Sequence, residues 1–593
     1  MAPFFKKHVV AIVFACVIGA IYGLPNVLFV LSLGDVYQGI PMMQTPNEDA
    51  YLARIQEILD GHPTLGSPYF FEYKEQWPIT PPTGEFFYAL PSLLFNLSTS
   101  TVLIVSKFIL PAILFFLVYL LVLRLTGEED IFKKSNAIVG GAWVVLGYDL
   151  IDYRTVFSYL LGTISPESFL LWARPVNPIL GALFLFSFLL FVLALVQNTK
   201  WKKSTLIGAA VFLALMFGSY FFSWGLALSI LVMLVVICLF SREYEVARTL
   251  ALIAPLGVLF AAPYWYVVWH ASQSPWYEAS VLRSGLFLTH YPLLNKLLLV
   301  TFALYLTVLF ADLLWKRNKH IEYRFEIWHR FTLALLLGGL WVYSQQMLTG
   351  RTLWPYHFVQ YTIPLSMVVC MVLLYNVVRK WSYLVWSAMV GIIAVSSMCF
   401  GVYTQVSTYR GSYARYAHIQ GYAPLFAWLN EQKKDCVVLQ IDSETGIGGL
   451  DVAIPAFTHC NLYNSATAPS LLPEERIWHN YFVRLFMNGV TPATLTSYLD
   501  GHLSEERTYL SSNWKGIFGV REFPDFSDPL LAKRLMMVPE KYREFFGKEI
   551  VAELKTYRLD FIVSVGPLAE MVKKRLPGVT LVQSFNDVLL YKL

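Results

Sequence analysis

Almost uncharged apolar stretches recur through the first 405 residues of this chain, each about long enough to cross a hydrocarbon core roughly 30 Å thick. A water-soluble fold has no place for so many. The first runs from Val9 to Gly34, behind Lys6 and Lys7. Others lie near 101–125, 136–151, 177–197, 205–222, 224–240, 249–269, 294–315, 331–348, 358–378 and 382–405. Hydrophobic residues make up 56% of the chain and charged residues 14%, against about a quarter charged in an average soluble protein. The first stretch is longer than the apolar part of a signal peptide and lacks a small-x-small cleavage site, so it is read as an uncleaved span. The expectation is an α-helical polytopic membrane protein with about eleven transmembrane helices over residues 1–405.

Lys and Arg in short loops resist translocation and therefore mark the cytoplasmic side. Lys6, Lys7, Arg124, Lys133, Lys134, Lys202, Lys203, Arg242, Arg248, Lys316, Arg317, Lys319, Arg330, Arg379 and Lys380 all fall in alternate loops. The long first loop of the opposite side, about residues 35–100, is acidic. An odd number of spans with the N-terminus inside puts residues 406–593 outside as well. The expected location is the plasma (inner) membrane of a prokaryote, with the first loop and the C-terminal domain on the non-cytoplasmic face.

That C-terminal part reads differently. DCVVLQID, LDFIVSV and VLLYKL are short buried strands, and LLPEERIWHNYFVRLFMNG and PEKYREFFGKEIVAELKTY carry helical spacing between them. Strands alternating with helices give a soluble α/β domain over residues 406–593. It has no G-x-G-x-x-G, no G-x-S-x-G and no metal-spaced cluster, so it is expected to cover or dock, with the chemistry elsewhere. Cys16, Cys238, Cys370 and Cys399 fall in spans; Cys436 and Cys460 either form a disulfide or stay buried thiols. The chain has 45 basic and 40 acidic residues, and the whole excess lies before residue 406. A neutral exported part without a basic block excludes a nucleic-acid partner.

In the first loop, Glu48 and Asp49 stand just before an amphipathic stretch, Tyr51 to Leu59, whose Leu52, Ile55 and Leu59 fit a helix lying on the membrane surface. A carboxylate there could serve as a general base, given an acceptor hydroxyl within hydrogen-bond reach and partial burial. Equally, an outer loop facing water simply carries acids.

The run TPNEDAYLARIQEILDG, followed by TPPTGEFFYALPSLLF, resembles the first loop of polytopic glycosyltransferases of the GT-C superfamily. Lipid A aminoarabinose transferases show T-P-D-E-x-x-Y, an amphipathic helix and then K-P-P; protein O-mannosyltransferases and oligosaccharyltransferase catalytic subunits share the loop acid. The resemblance implies a GT-C-like fold and an active site containing that acid. It also implies a sugar donor on a polyprenyl phosphate or diphosphate, and transfer on the non-cytoplasmic face to a lipid, glycan or protein acceptor. Glu48 matches the second acid and Tyr51 the tyrosine, while Asn47 stands where the first acid would be, leaving Asp49 as its replacement. Thr80, Pro81 and Pro82 replace Lys-Pro-Pro, with Lys74 a possible substitute for the cation. Asp35, just after the first span, is a third carboxylate candidate, because oligosaccharyltransferase-like members keep an acid early in this loop.

The second outer loop offers Asp149, Asp152, Glu167 and Arg174. Asp149 and Asp152 share a face on a helical turn, and a hard divalent cation such as Mg²⁺ or Mn²⁺ takes oxygen ligands of this kind; the alternative is solvation of a helix end. After the ninth stretch, Arg351 and His357 stand among Trp354, Tyr356 and Tyr361 at the outer surface. An Arg fork there would clasp a polyprenyl phosphate with paired, charge-assisted hydrogen bonds and His357 would protonate the leaving phosphate, or the group is an aromatic belt with one snorkelling cation. Arg283 with His290, Arg174 and Lys107 are further candidates for the same headgroup. Lys107 lies inside the second span, costly unless it snorkels or pairs with an anion. The reading is a glycosyltransferase with a lipid-linked donor. Its rivals are a polysaccharide or lipid transporter and a non-catalytic cell-envelope assembly subunit.

Overall fold

The structure is a computed structural model. It describes residues 2–127, 130–163, 168–197, 202–321, 325–441, 449–466, 470–502, 505, 509–510 and 529–593. Each of the eleven apolar stretches contains a helix. Among the described residues nine helices are long and apolar enough to cross a membrane: Phe5–Val36, Thr99–Leu125, Ile179–Val196, Lys202–Ser219, Phe221–Phe240, Lys296–Asn318, Ile327–Thr349, Pro355–Trp381 and Tyr383–Asn430. A tenth crossing is broken: Tyr244–Phe260 and Ala262–Ser272 meet at 59°, where Pro263 in the first turn of the second piece cannot continue a hydrogen-bonded helix. The remaining stretch, third in chain order, gives Ile131–Leu146, 16 residues and so about 24 Å, followed by the single 3₁₀ turn Tyr148–Ile151.

Side-chain caps open several of these helices. Ser98 accepts from the Thr101 N–H at 3.1 Å, Asp130 from Lys133 at 2.7 Å and Asn295 from Leu298 at 3.0 Å, each satisfying a donor that the first turn leaves without a partner. Packing follows side-chain size. Gly19 and Gly23 lie against Phe108, where an added Cβ would come within 2.4 and 2.2 Å of its carbonyl oxygen and ring, so the first two spans are in close contact. Ile179–Val196 is apolar on nearly all sides, with 89% of its apolar window buried, and forms the centre of the bundle with Pro355–Trp381; Lys296–Asn318, at 22%, lies at the edge.

The last span runs on unbroken as the helix Tyr383–Ile419, through residue 405 and into the C-terminal domain. That domain holds a five-stranded sheet. Two short strands precede it in the chain: β1 (Leu286–Leu288) pairs antiparallel with β2 (Arg351–Leu353). The sheet itself consists of β3 (Val437–Ile441), β4 (Asn461–Leu462), β5 (Phe561–Val565), β6 (Thr580–Phe585) and β7 (Val588–Lys592), in the order β4-β3-β5-β7-β6. β4, β3 and β5 are parallel; β7 closes antiparallel on β5 and forms a hairpin with β6. The three expected strands are β3, β5 and β7; the first expected helix is Glu474–Met487, whereas the second, over residues 539–557, is divided between the latter half of Pro529–Gly547 and the short helix Ile550–Leu554. β4 and β6 were beyond the pattern: β4 has two residues, and β6 exposes five of its six. Cys436 and Cys460 form a disulfide that ties the start of β3 to the start of β4.

The first loop is part of this domain's packing. Helix Glu48–Leu59 lies against Leu450–Phe457. The Leu462 N–H of β4 donates to the Tyr69 carbonyl at 2.7 Å, so the loop covers the edge of the sheet. Arg476, fully buried, sits 4.4 Å from the Phe70 ring and 4.2 Å from that of Tyr557 and donates to the Tyr463 carbonyl at 2.6 Å.

Lys74 bridges Glu57 at 3.0 Å and Asp435 at 2.8 Å, and His62 stands between Asp435 and Glu75. Burial pushes the Glu57 carboxyl up to about 7, although Lys74 opposes it. A folded-state value raised above the usual 4.5 means that folding favours the protonated acid. Its stabilising contribution is complete below about pH 4.5 and is lost as pH rises through about 7. Glu57→Gln is therefore expected to flatten the decline in Tm over this window and to unfold later than wild type above pH 7. Parallel Tm-against-pH curves for the two proteins would show that burial of Glu57 does not set this dependence.

Candidate active site

The segment TPNE is a loop lock before it is anything else. Glu48 Oε1 accepts from the Gln44 N–H at 2.9 Å, the Thr45 N–H at 2.7 Å and the Thr45 hydroxyl at 2.9 Å. Thr45 and Glu48 thus have the spacing and the reach-back of a capping box. Glu48 Oε2 takes the Lys107 ammonium at 2.7 Å, with both side chains buried. The anion that a lysine in a span requires is therefore Glu48, and the pair nails the first loop to the second span. Asn47, in place of an acid, has φ 65°; asparagine tolerates that left-handed conformation better than most residues.

Asp49 follows in the first helical turn, buried, with Oδ1 accepting from the Ala50 N–H at 2.8 Å. Burial raises the Tyr69 hydroxyl above its ordinary range, and the charge of Asp49 beside it adds to the shift; Arg54 opposes it and Asp451 of the C-terminal domain reinforces it. Asp49, Tyr69, Arg54 and Asp451 therefore share one neighbourhood under Leu450–Phe457.

On the bundle side of the same helix end, Arg174 donates from Nε to the Pro46 carbonyl at 3.2 Å. Its two terminal nitrogens make no hydrogen bond among the described residues. Arg174 lies within electrostatic reach of Tyr51, Tyr220, His357 and Tyr361. The Tyr220 hydroxyl stands 3.2 Å from His357 Nδ1 and donates to Gln360 Oε1 at 3.4 Å. Burial raises the Tyr51 hydroxyl, and Arg174 counteracts that shift. Arg54 forms a third corner, bonded to Glu85 at 2.5 Å and to the Thr80 hydroxyl at 3.3 Å. A cation thus stands at the threonine that replaces the lysine of Lys-Pro-Pro. Nothing in the local sequence pointed to Arg54, Glu85, Tyr69, Tyr220 or Asp451. The one available signal for Arg54 was its position five residues after Asp49, on a different face of the same helix.

The remaining candidates are placed as follows. His357 and Arg174 are together; Arg351 is exposed on β2, opposite Leu288, and its side chain makes no hydrogen bond or ion pair among the described residues. Arg283 is buried at the contact with the C-terminal domain, where it donates to the Ser470 carbonyl at 3.1 Å. Its guanidinium is held down to about 10 by burial and by Arg534. Asp35 is exposed at the end of the first span. Asp152 caps helix Tyr153–Leu160 by accepting from the Arg154 N–H at 3.0 Å. Asp149 is partly buried, and burial together with the charge of Asp152 lifts its carboxyl to about 6. Glu167 lies outside the described residues. Among the described residues the one cluster of three metal-type side chains is Cys436, His459 and Cys460, in which both sulfurs belong to the disulfide.

No protein-family profile matches the sequence, and no curated protein sequence does. Several solved structures do. The apo structure of ArnT from Cupriavidus metallidurans is similar with a TM-score of 0.44 and 12% identity, over 95% of this chain and 97% of that one. The same protein bound to undecaprenyl phosphate gives 0.43 and 12% over the same shares. The Archaeoglobus fulgidus oligosaccharyltransferase in its apo form gives 0.44 and 13%, over 94% of this chain and 70% of that one.

Proposed function

We propose that the chain transfers a sugar from a polyprenyl-phosphate-linked donor to a lipid, glycan or protein acceptor, at the junction of first loop, bundle and C-terminal domain. The observation that carries this is Arg174: its Nε is fixed on the Pro46 carbonyl, its terminal nitrogens make no hydrogen bond among the described residues, and its charge lies within electrostatic reach of Tyr51, Tyr220 and His357. A fork so oriented, at the outer end of apolar helices, suits a phosphate anchored by a lipid tail. In the reaction, the acceptor hydroxyl oxygen bonds to the anomeric carbon as the carbon–oxygen bond to phosphate breaks. Asp49 takes the hydroxyl proton, and Arg174 and His357 hold the departing phosphate. Glu48 is left out of that role because four donors already occupy its oxygens. A divalent cation, Mg²⁺ or Mn²⁺, would take the carboxylates of Asp149 and Asp152 as ligands and offset the burial, and secondarily the Asp152 charge, that raise the Asp149 carboxyl.

Arg174→Lys keeps the charge and loses the fork. It is expected to weaken donor binding by about 1 to 2 kcal/mol, roughly ten-fold, whereas Arg351→Lys leaves it unchanged. Equal donor affinity in wild type and Arg174→Lys, measured by titration of a polyprenyl-phosphate sugar, would sink the assignment.

The reading also requires the junction to lie outside the cytoplasm. A cysteine at Thr64 or at Ser497, both exposed, is expected to react with an impermeant thiol reagent in intact cells. Reaction only after lysis would reverse the orientation.

A further inference from the structure

Away from this junction, at the opposite end of the bundle, the last turn of Thr99–Leu125 carries Arg124, and Gln197 follows the end of Ile179–Val196. Both line two adjoining cavities, of about 480 and 510 Å³, each within the size of small-molecule sites, about 300–1,000 Å³. The first is a mouth that also holds Glu326 and Arg330. The second extends between helices along Leu117, Leu190, Phe191 and Phe212. The pair of cavities is therefore polar where it meets the end of the bundle and apolar where it enters the depth of the membrane.

The charges of the mouth are unevenly used. Arg330 is paired with Glu243. Arg124 and Gln197 are exposed, and their side chains make no hydrogen bond or ion pair among the described residues; Glu326 forms no ion pair there either. A guanidinium and a carboxylate thus share one mouth, each lacking an ionic partner, above an apolar cleft. That set of groups matches a zwitterionic amphiphile. Its phosphate would take the guanidinium, its ammonium the carboxylate, and its chain the cleft.

We propose that this cleft binds one membrane phospholipid with an amine headgroup. The phosphate rests on Arg124 with the Gln197 amide donating beside it, the ammonium faces Glu326, and one acyl chain lies along Leu117, Leu190 and Phe191. The site is separate from the sugar-transfer junction and does not depend on that assignment.

The full chain, purified in a mild detergent and titrated with phosphatidylethanolamine or phosphatidylglycerol, is read by native mass spectrometry. Wild type is expected to retain one phosphatidylethanolamine in preference to phosphatidylglycerol. Arg124→Gln should lower that retention about ten-fold or more, the value of a charge-assisted hydrogen bond. Glu326→Gln should shift preference toward phosphatidylglycerol. Ala194→Phe, which narrows the apolar cavity without touching a charge, should also reduce retention while the protein elutes as a single folded species. Equal retention by wild type, Arg124→Gln and Ala194→Phe would overturn the site. A wild-type preference for phosphatidylglycerol would overturn the headgroup assignment, and displacement of the lipid by inorganic phosphate alone would assign the mouth to a soluble anion instead.

Discussion

Lys107→Met is expected to destabilise the folded protein by about 3–5 kcal/mol, because it strands the Glu48 carboxylate in a buried position with its ionic partner gone. Glu48→Met should cost a comparable amount, since it strands the ammonium inside a span and also releases the Gln44 and Thr45 N–H groups. Putting both substitutions in one chain removes the two buried charges together. The double variant should therefore unfold later than either single variant, even though it carries more changes. Thermal unfolding of the four proteins in one detergent completes the cycle. Strictly additive losses would mean that the two side chains do not interact, and the loop would need another anchor. The same experiment separates anchoring from chemistry: if Glu48 only anchors, transfer per folded molecule in Glu48→Gln should fall far less than its yield.

Asp49→Asn should leave folding nearly unchanged while transfer falls by about 10²-fold or more, the usual contribution of a general base. The substitution keeps the size of the side chain and its acceptor for the Ala50 N–H. Donor affinity should be preserved, because the proposed phosphate contacts are those of Arg174 and His357. The observable is thus a drop in turnover with binding intact, the opposite of Arg174→Lys. Glu85→Gln makes the informative comparison. Glu85 faces Arg54 on the far side of the helix, so a collapse of turnover in Glu85→Gln together with full activity in Asp49→Asn would move the base to Glu85. Full activity in both would remove the loop acids from the mechanism and favour a transporter.

The sequence by itself determined the class of this protein and its outline. Runs of apolar residues can satisfy their backbone in a bilayer only as helices, so the positions of the spans followed from the chain with no knowledge of their neighbours. The strands β3, β5 and β7 were readable because each is short, apolar and buried, while β6 escaped because an exposed hairpin strand has no apolar signature. The acidic first loop and its amphipathic helix were likewise evident from spacing. What each acid does was decided by tertiary structure. Glu48 and Asp49 are adjacent in the chain and chemically alike, but successive helical residues point about 100° apart. One therefore meets Lys107, 59 positions later in the chain, and the other lies beneath the C-terminal domain. Arg351 and Arg174 looked equivalent as cations beside aromatic residues. Only the packing of spans distant in sequence brings Arg174 to Tyr220 and His357 and leaves Arg351 on a surface ribbon, because a side chain's partners are set by which helices pack together and not by its neighbours in sequence.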